Sequence, residues 1–184
     1  MPENIDYKFL SDLEGGCNTK GYVPAPEVSK SGVTIATGFD LGQRNEAELR
    51  ALRINPLLMN KLKPYLGAKG KSAEAILKKS PLMISLIQAK EIDKAVKSSH
   101  INQLKLKYNS ALGNKKKFID IPHQAQTVIT SVSFQYGIGL SSTTPKFWKA
   151  VTSQDWKEAI KILKSFGDAY PTRRRKEAAL LEKI

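Results

Sequence analysis

The chain has 184 residues, 41% hydrophobic and 26% charged, and carries a formal net charge of +13. This length bounds it to one domain, or to two small lobes sharing a core, and the composition is that of an ordinary globular protein. No run of about 18 apolar residues is present, which excludes a spanning helix, and a single cysteine, Cys17, excludes an internal disulfide and argues against a structural metal. Cys17 reads as a small buried residue rather than a reactive thiol. The start, "MPENIDYKFLSDLE", has no basic stretch followed by an apolar one, so no signal peptide is expected. A protein of this kind acting outside the cytoplasm needs another system to carry it, or is a piece of a longer chain. The charge favours polyanions such as nucleic acid, anionic lipid or a bacterial wall polymer. It is dispersed, with runs only at "KKK" and "RRRK" (Arg173 to Lys176), and both read as solvated faces.

In chain order, residues 5–16 read as a short helix with Ile5, Phe9, Leu10 and Leu13 on one face, stopped by Gly15 and Gly16. Glu14 then falls in its last turn. Over residues 21–42, Pro24, Pro26, Gly32, Gly38 and Gly42 punctuate a β-rich "VTIATGFDL", which predicts a small sheet. On one straight strand Thr34 and Asp40 would share a face but lie roughly 20 Å apart. A turn at Thr37-Gly38 makes them cross-strand neighbours instead. "NEAELRAL" opens with an Asn45 cap and Glu48 at the capping-box position. Pro56, Pro64, Gly67 and Gly70 separate short helices.

Residues 85–108 form a long helix candidate, with a break possible at Ser98-Ser99, and "NSALGNKKK" reads as a loop. "DIPHQAQTVITSVSFQYG" starts with Pro122 in its first turn, ends at Gly137, and is apolar nearly all round, which marks a central core helix. "TSQDWKEAIKILKSFG" begins with a Thr152/Asp155 cap and should bury Trp156, Ala159, Ile160 and Leu163. A last helix begins at Pro171. The fold class is α+β, mostly helical.

A carboxylate beside glycine-rich turns either caps local structure or forms half of an acid/base pair for glycosidic cleavage. Spacing alone favours the first reading for Glu14 and Asp40, and an ordinary strand position for Thr34. No G-x-S-x-G, Walker A or H-E-x-x-H motif is present. His100 and His123 lack evident partners and read as surface residues rather than metal ligands. No helix-turn-helix or zinc-finger pattern turns the charge into a nucleic-acid code. Tyr136, Phe147 and Trp148 read as core aromatics before they read as a stacking platform.

Two separated stretches change these odds. "VITSVSFQYGIG" followed by "TSQDWKEAIKILKSFGDAYPTRRRKEAALL" resembles the C-terminal lobe of the T-even phage lysozymes. "LEGG" followed by "GVTIATGFDLG" resembles their N-terminal lobe, and its "TIATGFDLG" form is most similar to the pesticin-type bacterial toxins. The resemblance covers about 14–43 and 124–180. It implies a two-lobed fold over 1–184: an N-terminal lobe with the small sheet (about 14–84), a linking helix (about 85–108), and a helical C-terminal lobe (about 109–184) on which the first helix packs. A cleft would separate the lobes.

The activity implied by the resemblance is that of a muramidase cutting the β-1,4 bond between N-acetylmuramic acid and N-acetylglucosamine. Glu14 matches the general acid, Thr34 the threonine beside the water nucleophile, and Asp40 the toxin-type aspartate. Gln135 matches a cleft-lining glutamine and Arg173 an arginine that pairs with the catalytic glutamate. In the phage enzymes the second acid lies nine residues after the glutamate, a place held here by Val23. Either Asp40 or Glu27 takes the role, and parity with Thr34 favours Asp40. An ionised Asp40 would activate a water with Thr34 as its second partner, which predicts inversion and a carboxyl separation of roughly 6.5–9.5 Å.

No metal or cofactor is expected. The expected partner is bacterial peptidoglycan, met as a monomer, with no specific nucleic acid, no membrane insertion, and an immunity protein in any producer. The expected place of action is the cell wall, in the periplasm of a target or host bacterium after delivery by another system, as an antibacterial toxin or effector domain or a phage endolysin. Rival readings are a lytic transglycosylase, a chitinase-like glycosidase and, from another class, a non-catalytic basic wall- or nucleic-acid-binding module.

Overall fold

The structure is a computed structural model that describes residues 3–28, 30–112 and 116–184. The chain divides into two compact bodies, Gly15–Ser99 on one hand and Met1–Glu14 with His100–Ile184 on the other.

In the 15–99 body, β1 (Asn18–Tyr22), β2 (Thr34–Ala36) and β3 (Phe39–Asp40) form an antiparallel sheet in the order β1-β2-β3. The predicted turn at Thr37-Gly38 is present, and it pairs Thr34 with Asp40 and Ile35 with Phe39. Its physical basis is parity: in this register Val33, Ile35, Phe39 and Leu41 share one face and enter one core, and a slip of one residue would separate them. The outer edge of β1 is covered by an antiparallel bridge between Lys20 and Met83, flanked by Gly21 N–H to the Leu82 carbonyl and Ile84 N–H to the Thr19 carbonyl.

Helix α2 (Glu46–Ala51) starts with the expected capping box, Asn45 and Glu48 each accepting the other's backbone N–H. Helices α3 (Pro56–Leu62) and α4 (Gly70–Lys79) and the first part of α5 (Leu86–Leu112) complete this body. They bury Leu49, Leu58, Leu62, Ala73 and Ile92 with the sheet residues.

The other body is helical. It contains α1 (Tyr7–Leu13), α5 from His100, α6 (His123–Tyr136), α7 (Leu140–Thr143), α8 (Pro145–Thr152), α9 (Trp156–Lys164) and α10 (Pro171–Leu181). As expected, α6 is central, buried from Ala125 to Ser133. Three of its buried hydroxyls are satisfied within the helix, Thr127 donating to the His123 carbonyl, Thr130 to Gln126 and Ser133 to Thr130. Phe147 is core, as are Ala159 and Leu163 of α9, while Trp156 and Ile160 are only partly covered.

Several local expectations are corrected. The first helix is shorter than 5–16: Asp6 caps it, and it ends at Glu14 in extended backbone rather than at a glycine. Helix α5 runs unbroken through Ser98-Ser99 and on to Leu112, so "NSAL" is helix rather than loop; Gly113, Asn114 and Lys115 lie outside the described residues. Tyr108 accounts for part of that extension, since its buried ring and its hydroxyl, donating to the Val151 carbonyl, reward continued helix. Thr152 ends α8 instead of opening the next helix, which Asp155 alone caps, and Pro122 is the cap of α6 rather than part of its first turn. Among the described residues no helix is long and apolar enough to cross a membrane.

Candidate active site

Thr34 and Asp40 are brought together by the hairpin of the 15–99 body. Asp40 is the last residue of β3, and its Oδ1 accepts two backbone N–H groups, from Gly32 at 2.9 Å and Gly42 at 2.8 Å. The second of these caps the 3₁₀ turn Leu41–Gln43, so Asp40 is also the turn residue its surroundings suggest. Among the described residues no group donates to its Oδ2. The buried Thr34 hydroxyl donates to the Gly32 carbonyl at 3.2 Å, which leaves its oxygen as an acceptor. Glu27, the alternative second acid, is mostly in solvent and pairs with exposed Lys71 at 2.8 Å.

Why the sequence places glycine at 32 and 42 follows from this geometry. A Cβ on Gly32 would lie 2.3 Å from the Ala68 carbonyl oxygen and 2.5 Å from Gly42 Cα; one on Gly42 would lie 2.6 Å from both the Ala68 oxygen and Gly32 Cα. Every obstructing atom is backbone, so nothing flexible can yield. Two amides can converge on one carboxylate oxygen only if both segments lack side chains. Gly42→Ala is therefore expected to cost about 1–3 kcal/mol of stability and to draw an N–H away from Asp40. A thermal melt and a turbidity assay on peptidoglycan check this; parental values in both would refute the account.

Glu14, Gln135 and Arg173 belong to the helical body. Helix α1 is fixed to α6 at its start, Asn4 N–H to Gln126 Oε1 at 2.9 Å and Asp6 N–H to Thr127 Oγ1 at 2.9 Å, with Leu10 buried. Glu14 caps its C-terminal end and is half-buried, its N–H donating to the Ser11 carbonyl. The Arg173 guanidinium reaches the same end, donating to the Leu13 carbonyl at 3.3 Å. It also donates to the carbonyl and hydroxyl of Ser131, each at 3.0 Å, and ion-pairs with Glu177 at 3.2 Å. Gln135 Oε1 accepts from Arg174.

The "RRRK" run is not a solvated face. Arg175 and Lys176 are exposed, but Arg174 is 1% exposed and Arg173 is largely covered. Arg174 ion-pairs with Glu177 and with Asp168 at 2.9 Å, and its guanidinium lies 4.7 Å from the Phe166 ring centre. Glu177 is fully buried and accepts from Ser131 as well as from both arginines. Burial works against ionisation of Asp168, but donors from Tyr136, Arg174 and the Tyr170 N–H outweigh it and hold the carboxyl below its ordinary range. Burial and then the Asp168 carboxylate push the Tyr136 hydroxyl upward.

The signal for this network was in the helical phase: Arg174 and Glu177 share one face with apolar Ala178 and Leu181. His100 likewise is not a surface residue. It is partly buried, 2.9 Å from the Ser133 hydroxyl and edge-on to Phe134, and burial lowers its pKa. His123 is exposed. Cys17 is half-covered rather than buried. Among the described residues no group of three or more His, Cys, Asp or Glu could hold a metal ion.

No individual curated protein matches the chain. A family model does, over residues 4–157: that of pesticin, described as a bacterial toxin homologue of phage lysozyme, C-terminal part. The match spans Glu14, Thr34, Asp40 and Gln135, includes the middle helices, and ends before α10. The mostly helical α+β fold with its small antiparallel sheet accords with it. The chain thus belongs to the pesticin family, the lysozyme-like domains of bacterial toxins, whose substrate class is peptidoglycan.

Proposed function

We propose that this domain is a muramidase that hydrolyses the β-1,4 bond between N-acetylmuramic acid and N-acetylglucosamine with inversion. The observation that carries the reading is the pairing of Thr34 with Asp40, whose Oδ1 is fixed by two glycine amides. With Oδ1 engaged and the Thr34 proton spent on Gly32, the remaining groups are two acceptors, Asp40 Oδ2 and Thr34 Oγ1. A water has two protons to donate, one to each, and is left with a lone pair for the anomeric carbon. As its oxygen bonds to that carbon, one of its protons passes to Asp40. Glu14 gives its own proton to the leaving glycosidic oxygen, and because water rather than a carboxylate attacks the anomeric carbon, no covalent glycosyl-enzyme is formed.

Arg173 orients the helix end that bears Glu14. Gln135, its oxygen held by Arg174, offers its amide protons to sugar oxygens. The net charge of +13 concentrates the protein on an anionic wall. The setting we propose is delivery to the periplasm of a target or host cell by another system, with an immunity protein guarding the producer and the domain acting as a monomer.

Digestion of purified peptidoglycan tests the reading. Mass spectrometry should find muropeptides with reducing N-acetylmuramic acid ends, and NMR of the first products should find the α anomer. Products ending in 1,6-anhydro rings would make the protein a lytic transglycosylase. Steeply salt-dependent DNA binding without wall cleavage would make it a binding module.

A further inference from the structure

The hairpin that carries Thr34 and Asp40 is too short to hold its own register. β2 has three residues and β3 has two, and an isolated two-stranded ribbon of any length is marginal in water. Its turn is also strained. Ala36 sits at φ +53° and Gly38 at +79°, on either side of Thr37, and a non-glycine residue in the left-handed region costs about 1–2 kcal/mol. Such a conformation persists only where its surroundings impose it.

The imposing group is Asp93, on the part of α5 within the 15–99 body. Its Oδ1 accepts the Thr37 N–H at 3.0 Å, and its Oδ2 accepts the Thr37 hydroxyl at 2.7 Å. Oδ2 also accepts the Cys17 thiol at 3.3 Å, just ahead of β1. One carboxylate thus holds the hairpin tip by backbone and side chain together, and ties it to the entry of the neighbouring strand. These three donors come from two segments that the fold must keep in step, since Asn18 pairs with Ala36. A slip of one residue at the tip would turn Asp40 to the opposite face and separate it from Thr34.

We infer that Asp93 is a positioning residue for the reaction, setting the place of Asp40 and Thr34 through Thr37. The inference rests on the reading of that pair as the water-holding half of the site. Asp93 does not touch the reacting atoms. Its effect is to keep the water acceptors where a nucleophile needs them, and misplacement by about 1 Å can cost on the order of 100-fold in rate.

The test uses Asp93→Ala, Asp93→Asn and Thr37→Val in the full chain, assayed on solubilised glycan strands. Asp93→Ala should lower kcat roughly 10- to 100-fold with KM little changed, because the sugar-binding groups are untouched. Asp93→Asn should restore most of the rate: its amide oxygen still accepts the Thr37 N–H, while its NH₂ donates to the Thr37 hydroxyl. Thr37→Val should lose an intermediate amount. Amide hydrogen exchange over residues 34–40 should accelerate in Asp93→Ala and recover in Asp93→Asn. A folded Asp93→Ala with parental kcat, or with an apparent kcat that returns to the parental value once corrected for the folded fraction, overturns the inference. Unchanged exchange at 34–40 overturns it whatever the rates are. If Asp40→Asn proves fully active, the water-holding reading falls; should the exchange still respond, the fault lies with that reading and not with the clamp.

Discussion

Replacing Glu14 by Gln should reduce lysis of a peptidoglycan suspension by about 100-fold or more while leaving the melting temperature unaltered. The substitution keeps the shape of the side chain and removes the proton it is proposed to deliver. The backbone roles are untouched, because the N–H to Ser11 and the Leu13 carbonyl held by Arg173 belong to the main chain. Retained clearing by a folded Glu14→Gln protein would remove Glu14 from the chemistry.

The companion substitution, Asp40→Asn, is informative for a different reason. An asparagine oxygen can still accept from Gly32 and Gly42, so the turn is preserved. Its NH₂, however, replaces Oδ2 and presents a donor where a water needs an acceptor. Activity should fall by a similar factor with the fold intact. Glu27→Gln should be near parental in both respects, since that carboxylate and its partner Lys71 are mostly in solvent. The reverse ranking would transfer the second carboxylate to Glu27.

Glu177→Ala should be the most destabilising single change in the helical body. One fully buried carboxylate compensates Arg174, itself buried, and Arg173, and accepts from Ser131. Removing one member of a buried charge pair costs about 3–5 kcal/mol; here Arg173 would lose its Glu177 partner and Arg174 would be left with Asp168. For a chain of this size that corresponds to a fall of roughly 10 °C in Tm. Activity should fall too, since Arg173 would lose one of the partners that set its approach to Leu13. Replacing Glu158, exposed and loosely paired with Lys161 at 3.7 Å, should shift Tm little and serves as the control. A Glu177→Ala melt within about a degree of the parent would mean that water reaches the arginines.

What could be read from the sequence was what depends on neighbours in the chain. The Asn45–Glu48 box, Pro171 at the head of α10 and the Thr37-Gly38 turn are all local chemistry, and each appears in the structure. The resemblance to pesticin-type toxins rested on the order of such local features, and the family match bears it out. Tertiary pairing was not legible. Asp93 looks like any acid on a helix; only its phase beside Ala89 and Val96 hints that it faces inward, and nothing hints that Thr37 will meet it. Arg174 was misread because consecutive basic residues are usually hydrated, and its counter-charge Glu177 becomes visible only once helical phase is considered.

The chain closes its helical body with its two ends, and this orders events in time. The segment carrying Glu14 leaves the ribosome well before its anchors, which are Gln126 and Thr127, more than a hundred residues later, and Arg173, separated from Leu13 by 160 positions. At ordinary translation speeds of about 5–20 residues per second, the last of these arrives roughly 8–30 s afterwards. The 15–99 body, with a core of its own, can be complete in the meantime. A nascent or prematurely terminated chain therefore contains Glu14, the proposed proton donor, without the Arg173 contact at its helix end, and under the proposed function the producing cell meets an active hydrolase only after α10 has been synthesised.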